Sequence, residues 1–245
     1  MSIAVIPAGG QGKRMGGTGL EGRPKQFLQL GGIPIIINTL MQFEACPDID
    51  QIFVVLPEAE VTDGFFLSLV EKYGLQKVHP PVVGASERQG SVYCGLKAVA
   101  SLLERGVLQG DPVVSIHDAV RPLVTPELIS KTIAVAAGSG AALCATAATD
   151  TIKEVEDGEV VATIARTRVY LAQTPQSFRF SLIFKAHQIA EAENIAATDD
   201  SMLVENLGIR VKIVEGVAEN MKITKPADLQ IAEKILLERA KGSKQ

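Results

Sequence analysis

The sequence predicts an α/β protein: a doubly wound, mostly parallel sheet with a projecting β-hairpin arm. Three observations carry this. Short β-branched runs alternate with longer stretches of helical periodicity. Most of those runs are almost continuously apolar, as expected for parallel strands covered on both faces. The alternation breaks once, over residues 150–176, where two extended stretches flank Asp157-Gly158, a hairpin-turn signal.

The elements follow in order. "SIAVIP" (2–7) is the first strand, and a glycine-rich loop follows it. Pro34 suits the first position of a helix running to Glu44. "QIFVVLP" (51–57), a helix over Glu58–Tyr73 and "KVHPPVV" (77–83) continue the alternation. A helix over Ser91–Glu104 leads to "PVVSIH" (112–117). Thr125 is a good N-cap for a helix over Pro126–Ala137, and "AALCATAA" (141–148) is the next strand. Beyond the hairpin come a helix over Ser181–Glu193, a helical segment near Asp199–Asn206, the strand "RVKIVEG" (210–216) and a last helix from Pro226. No repeat or linker divides the chain. Residues 1–240 read as a single domain carrying an arm at about 150–172, with 241–245 as a frayed tail. A two-stranded ribbon is marginal alone, so the arm is expected to pack on something, a second copy of the protein included.

Composition narrows the function. The net charge of −4 and pI near 5.5 argue against a general nucleic-acid binder. No run approaches a membrane span, and the first residues lack the basic start of a signal peptide, so a soluble, cytoplasmic protein is expected. Cys46, Cys94 and Cys144 are widely spaced and form no ligand motif; they read as small hydrophobes.

In this acidic chain one stretch stands out. Seven glycines fall among the fourteen residues 9–22, with Lys13, Arg14, Arg23 and Lys25 within or beside them. Dense glycine gives up backbone order, so something approaches the main chain closely, and the cations point to an anion. Two familiar phosphate loops fail on spacing. After Gly10 and Gly12 the dinucleotide fingerprint needs a third glycine where Met15 stands. The P-loop needs Gly where Pro7 stands and Ser or Thr where Arg14 stands. A nucleotide threaded along a longer open loop remains, its triphosphate held by backbone N–H groups. A nicotinamide-dependent oxidoreductase is disfavoured by the same spacing.

The segments "PAGGQGKRM", "RPKQFLQLGG", "ASERQGSVYCGL", "IHDAVRPL", "DTIKEV", "AQTPQSF", "TDDSMLVENLG" and "VEGVAENMKITKPADL" occur in this order. Together they resemble the 2-C-methyl-D-erythritol 4-phosphate cytidylyltransferase family of the sugar nucleotidyltransferase superfamily, over nearly the full chain. The resemblance implies a Rossmann-like fold and a reaction in which a phosphate oxygen of the polyol phosphate attacks the α-phosphorus of CTP, with Mg²⁺ as cofactor. It implies that Arg14 and Lys25 neutralise the reacting phosphates. Pro7, Ala8, Gly9, Gly10 and Gly12 would wrap the nucleotide. Ala85, Ser86 and Ser91 would read the base and ribose, where Ser91 also suits a helix cap. Asp118 and Ala119 would sit beside the ribose, with Asp118 as a metal ligand. Arg121, Asp150, Thr151 and Thr198 would line the acceptor site, and Arg166 and Lys222 would position its phosphate. Arg168 competes with Arg166; on an alternating strand the two share a face. His117 is read as structural, because the chemistry needs no proton abstraction there. The hairpin would reach across a homodimer, so that Thr151 and Arg166 serve the partner's site. The chain departs from the family's pattern at Gly9, Ala85 and Gly90, where relatives usually carry alanine, glycine and an acid. Ribitol-5-phosphate cytidylyltransferases share several of the segments and are the alternative; a non-catalytic nucleotide-binding module is a second.

Overall fold

The computed structural model describes residues 1–9 and 23–242. Gly10, Gly12 and Arg14 lie outside the described residues, as does the tail beyond Gly242. A seven-stranded sheet forms the centre, in the order β11-β7-β10-β6-β1-β4-β5. These strands are β1 (Ser2–Pro7), β4 (Gln51–Leu56), β5 (Val82–Val83), β6 (Val113–Ile116), β7 (Ala141–Ala147), β10 (Tyr170–Arg179) and β11 (Lys212–Glu215). β1 pairs in parallel with β4 and β6, whereas β10 runs antiparallel to both β6 and β7. The mostly parallel, doubly wound sheet is therefore present.

Alternation along β1 explains the two layers. Ala4 and Ile6 join one buried cluster with Phe43 of α1 (Ile35–Ala45) and Ile129 and Ile133 of α5 (Pro126–Ser139). Ile3 and Val5 point to the other, against Val92, Leu96 and Val99 of α4 (Arg88–Glu104) and Ile183 of α6 (Phe180–Glu193). Helix α4 lies very close to the sheet. A Cβ on Gly95 would stand 2.6 Å from a methyl of Val5.

Several elements differ from expectation, each for a local reason. The third strand shrinks to Val82–Val83 plus one bridge at Val78, because Pro80 and Pro81 donate no ladder bonds. The helix from Glu58 breaks into α2 (Glu58–Thr62) and α3 (Phe65–Lys72) at Gly64, whose φ is +73°. Gly31 and Gly32, both at positive φ, make a tight turn between β2 (Gln29–Leu30) and β3 (Ile33–Pro34), ahead of α1. Helix α4 begins at Arg88, not Ser91. Strand β10 has no signature of strand alternation. Its register slips between Ala172 and Gln176, and Thr174-Pro175 sits in that irregularity, where proline breaks no ladder bond. The capped start of α5 is as expected: Thr125 accepts a bond from the Leu128 N–H at 3.3 Å and Pro126 follows it.

The hairpin forms β8 (Ile152–Glu156) and β9 (Glu159–Ile164), a separate two-stranded sheet turning at Asp157-Gly158. Its apolar residues Val155, Val160, Val161 and Ile164 are exposed. Among the described residues no helix is long and apolar enough to cross a membrane.

Candidate active site

The site lies at the carboxyl ends of β1 and β6, where connections leave the sheet in opposite directions. β1 ends at Pro7, and Ala8 then fastens the start of the glycine-rich loop. Its N–H donates to the Val55 carbonyl at 2.8 Å, and its own carbonyl accepts from the buried Gln26 amide at 2.6 Å. Gln26 belongs to the 3₁₀ turn Lys25–Phe27, so one buried side chain ties the loop's end to its beginning and fixes Lys25 beside it. Phe27 is fully buried and meets Phe65 edge-on. Arg23 turns to protein partners. It lies over the Phe65 ring and pairs with Glu60 at 2.7 Å and with Asp63.

Across from Ala8, the loop 84–87 enters α4. Ser91 lies a turn inside the helix, so it does not cap it. Its hydroxyl sits 2.9 Å from the Glu87 carbonyl and 3.1 Å from that of Ala85, pinning the loop from below. A Cβ at Gly9 would stand 3.1 Å from this hydroxyl, and one at Gly84 would stand 2.9 Å from it. Ala85 and Ser86 are left exposed at the rim. Positions 85 and 90 are sterically coupled. A Cβ on Gly90 would stand 2.7 Å from the Ala85 methyl, so alanine at 85 requires glycine at 90.

After β6 the chain turns through His117-Asp118-Ala119. The Asp118 N–H donates to the Thr174 hydroxyl at 3.1 Å, and that hydroxyl donates to His117 Nδ1 at 3.0 Å. His117 Nε2–H then donates to the Arg121 carbonyl at 3.1 Å. This chain of donors fits a neutral, structural imidazole. Burial pushes His117 down to about 4, outweighing its bond to the Arg121 carbonyl. The folded protein thus binds this proton only near pH 4, whereas an unfolded histidine binds it near 6.5. Stability should fall by up to about 3 kcal/mol as pH drops through that window. Half-buried His79, lowered by desolvation, adds in the same direction. Urea unfolding between pH 7 and 4 checks this; a midpoint flat down to pH 4.5 would contradict it. The Ala119 carbonyl is taken by the Thr39 hydroxyl at 2.9 Å.

Asp118 gathers three cations. One carboxylate oxygen accepts from Arg88 Nε at 3.0 Å; the other meets Lys222 Nζ at 2.9 Å and Arg121 Nε at 3.3 Å. Burial opposes its ionisation, but the charges of Arg88, Lys222 and Arg121 outweigh this and hold it well below the usual carboxylate range. Arg88 continues to Asp200 at 2.8 Å, and Asp200 to His187 at 3.3 Å. These residues border a pocket of about 240 Å³ lined by Arg88, Asp118, Arg121, Lys222, Thr198 and Asp199, with Ala172, Gln173, Thr174 and Gln176 of β10.

The structure thus brings Asp118, Arg121, Thr198 and Lys222 together from distant segments. It does not bring Asp150, Thr151 or Arg166 to this pocket within one protomer. Arg166 also lies off the strand on which it was expected. Arg166–Arg168 is a 3₁₀ turn after β9, so the two arginines do not share a strand face, and Arg166 donates to the Thr149 carbonyl at 2.6 Å. Sequence reasoning missed Arg88, Asp200 and the glutamines of β10. Each lay inside a quoted motif, yet only the fold gives it a partner. Among the described residues no cluster of three His, Cys, Asp or Glu side chains could hold a metal by itself.

Comparison with known proteins bears on the family. The sequence model of the family described as 2-C-methyl-D-erythritol 4-phosphate cytidylyltransferase matches residues 2–238. The protein of that name from Geobacter metallireducens is 45% identical over 239 residues, covering 97% of this chain and 98% of the relative. Its namesake from Syntrophus aciditrophicus is 42% identical, with 96% and 95% covered. Among solved structures, 4-diphosphocytidyl-2C-methyl-D-erythritol synthase from Anaerococcus prevotii superposes with a TM-score of 0.81 at 30% identity, covering 96% of each chain. The cytidylyltransferase from Thermus thermophilus gives 0.74 at 32% identity, with 95% of this chain and 97% of that one covered.

Proposed function

Because the chain belongs to the 2-C-methyl-D-erythritol 4-phosphate cytidylyltransferase family, we infer that the pocket around Asp118 is where its acceptor phosphate meets the α-phosphorus of CTP. The protein is a CTP-dependent cytidylyltransferase acting on 2-C-methyl-D-erythritol 4-phosphate in isoprenoid precursor synthesis. An acceptor phosphate oxygen forms the new bond to the α-phosphorus as the bond to the β-phosphate breaks, and pyrophosphate leaves. The nucleophile is already ionised near neutral pH, so no protein base is required. The obstacle is repulsion between two anions, and catalysis consists of neutralising and aligning them.

The observation that carries this reading is the convergence of Arg88, Arg121 and Lys222 on one carboxylate beside the nucleotide loop. An ammonium has three donors and a guanidinium five. Lys222 uses one on Asp118; Arg121 uses one there and one on the Asn220 carbonyl at 2.9 Å. Both retain donors for a phosphate in the pocket. Lys25 and Arg14 are assigned to the triphosphate, with backbone N–H groups of the glycine-rich loop (Gly9, Gly10 and Gly12) as its further donors. Ala85 and Ser86 offer the rim groups for the base, and Thr198 the hydroxyl for the polyol. Asp118 is the carboxylate expected to hold Mg²⁺ with phosphate oxygens and waters; both its oxygens already meet Arg88, Lys222 and Arg121, so the ion would fit there only as Lys222 turns to the acceptor phosphate. The ion would add charge neutralisation.

The exposed apolar arm and Arg166 at its base complete the site in a homodimer, in which Thr151 and Arg166 serve the partner's pocket. A cytoplasmic location suits a reaction that consumes CTP. Pyrophosphate release from CTP should be rapid with methylerythritol phosphate and at least about 100-fold slower with ribitol 5-phosphate, the discrimination a few misplaced hydroxyls allow. Equal rates would refute the specificity, and no release with either would refute the reading.

A further inference from the structure

Two of the pocket's walls come from segments far apart in sequence: residues 217–222, which bring Lys222, and residues 198–201, which bring Thr198. Both are held by glutamines of β10. The Gln173 amide donates to the Val217 carbonyl at 2.9 Å, and its oxygen accepts from Asn220 Nδ2 at 3.1 Å. Asn220 also donates to the Thr174 carbonyl at 2.8 Å. Gln176 Nε2 donates to Asp199 at 2.9 Å, and its oxygen accepts from the Ser201 N–H at 3.0 Å. Both glutamines are buried and both border the pocket. Burying an amide is costly unless both ends are bonded. Here both ends of each amide bond one wall; Gln173 Oε1 also accepts from Cys144 Sγ at 3.5 Å, and Gln176 Nε2 also donates to the Gln173 carbonyl at 3.4 Å, across the register slip in β10.

We propose that Gln173 and Gln176 are positioning residues of the acceptor subsite, Gln173 setting the Lys222 wall and Gln176 the Thr198–Asp199 wall. This rests on reading the pocket as the acceptor site. Neither glutamine reaches the loop at Gly9 or the loop 84–87 through any described hydrogen bond, so the nucleotide side should be insulated from their loss.

Steady-state kinetics on Gln173→Glu and Gln176→Glu test it, with Lys222→Ala as reference. Each glutamate keeps the shape and an acceptor oxygen but loses the amide donor. Its charge repels the Val217 carbonyl or Asp199. The acceptor KM should rise about tenfold or more while the KM for CTP stays within about twofold, as expected for a lost buried bond acting on one subsite. A merely structural role would lower the unfolding midpoint and move both KM values together, or neither; either result overturns the proposal. Should the glutamates fail to fold, Gln173→Met and Gln176→Met remove the same bonds without charge and are read by the same criterion. If Lys222→Ala impairs acceptor use and the glutamine variants do not, the inference alone falls. If Lys222→Ala behaves like the parent, the reading of the pocket falls with it.

Discussion

Replacing Asp118 with asparagine should lower turnover by about 10²–10³-fold, the range seen when one preorganised electrostatic group is removed from a reacting centre. The reason is the charge balance of the pocket. Arg88, Arg121 and Lys222 meet on this one side chain, and asparagine presents an amide to at least one of them. Lys222 is the least constrained of the three, with 37% of its side chain exposed, and should swing away first. The loss should appear in the chemical step more than in CTP affinity, because the loop at Gly9 and the rim at Ala85 are held by other bonds. Stability should drop as well, by less than the about 3–5 kcal/mol of a fully buried broken pair, since Arg88 and Lys222 reach solvent. Pre-steady-state quench and urea unfolding of the variant measure both. A turnover within threefold of the parent would remove Asp118 from the account.

Lys25→Ala should be comparably damaging, about 10²–10³-fold in turnover, with its fold intact. Lys25 stands on a short turn whose neighbours do the structural work: Gln26 closes the loop onto Ala8 and Phe27 is buried. The alanine variant therefore keeps the Gln26 clasp and the buried Phe27 ring while it loses the cation. Gln26→Ala would instead release both ends of the loop. The two variants separate charge from placement. Slow turnover with a smaller loss of unfolding midpoint than Gln26→Ala is expected of Lys25→Ala. Normal turnover in that variant would exclude it from phosphate neutralisation.

Much of the fold was legible because parallel strands announce themselves. Residues such as Ile3 to Ile6 are apolar at every position, since both faces are covered. β10 was not legible. It is a central strand made partly of buried polar residues, Gln173, Thr174, Gln176 and Ser177, and their bonds lie in other segments. At the site, Asp118, Arg121 and Lys222 could be singled out from their motifs. Arg88 could not: its importance comes from Asp118 and Asp200, which only the folded chain places at either side of it. Gly9, Ala85 and Gly90 looked like independent departures. The fold joins the last two through a single steric contact and sets Gly9 against the Ser91 hydroxyl.

The central claim is that the acceptor phosphate and the nucleotide meet between the Lys25 turn and the Asp118 cluster. A crystal structure with the CDP-linked methylerythritol product bound tests it most directly. The diphosphate should bridge from Lys25 to Lys222, with cytosine against Ala85 and Ser86 and the polyol end inside the 240 Å³ pocket. A diphosphate seated away from both lysines, with the Asp118 pocket empty of product, would contradict it.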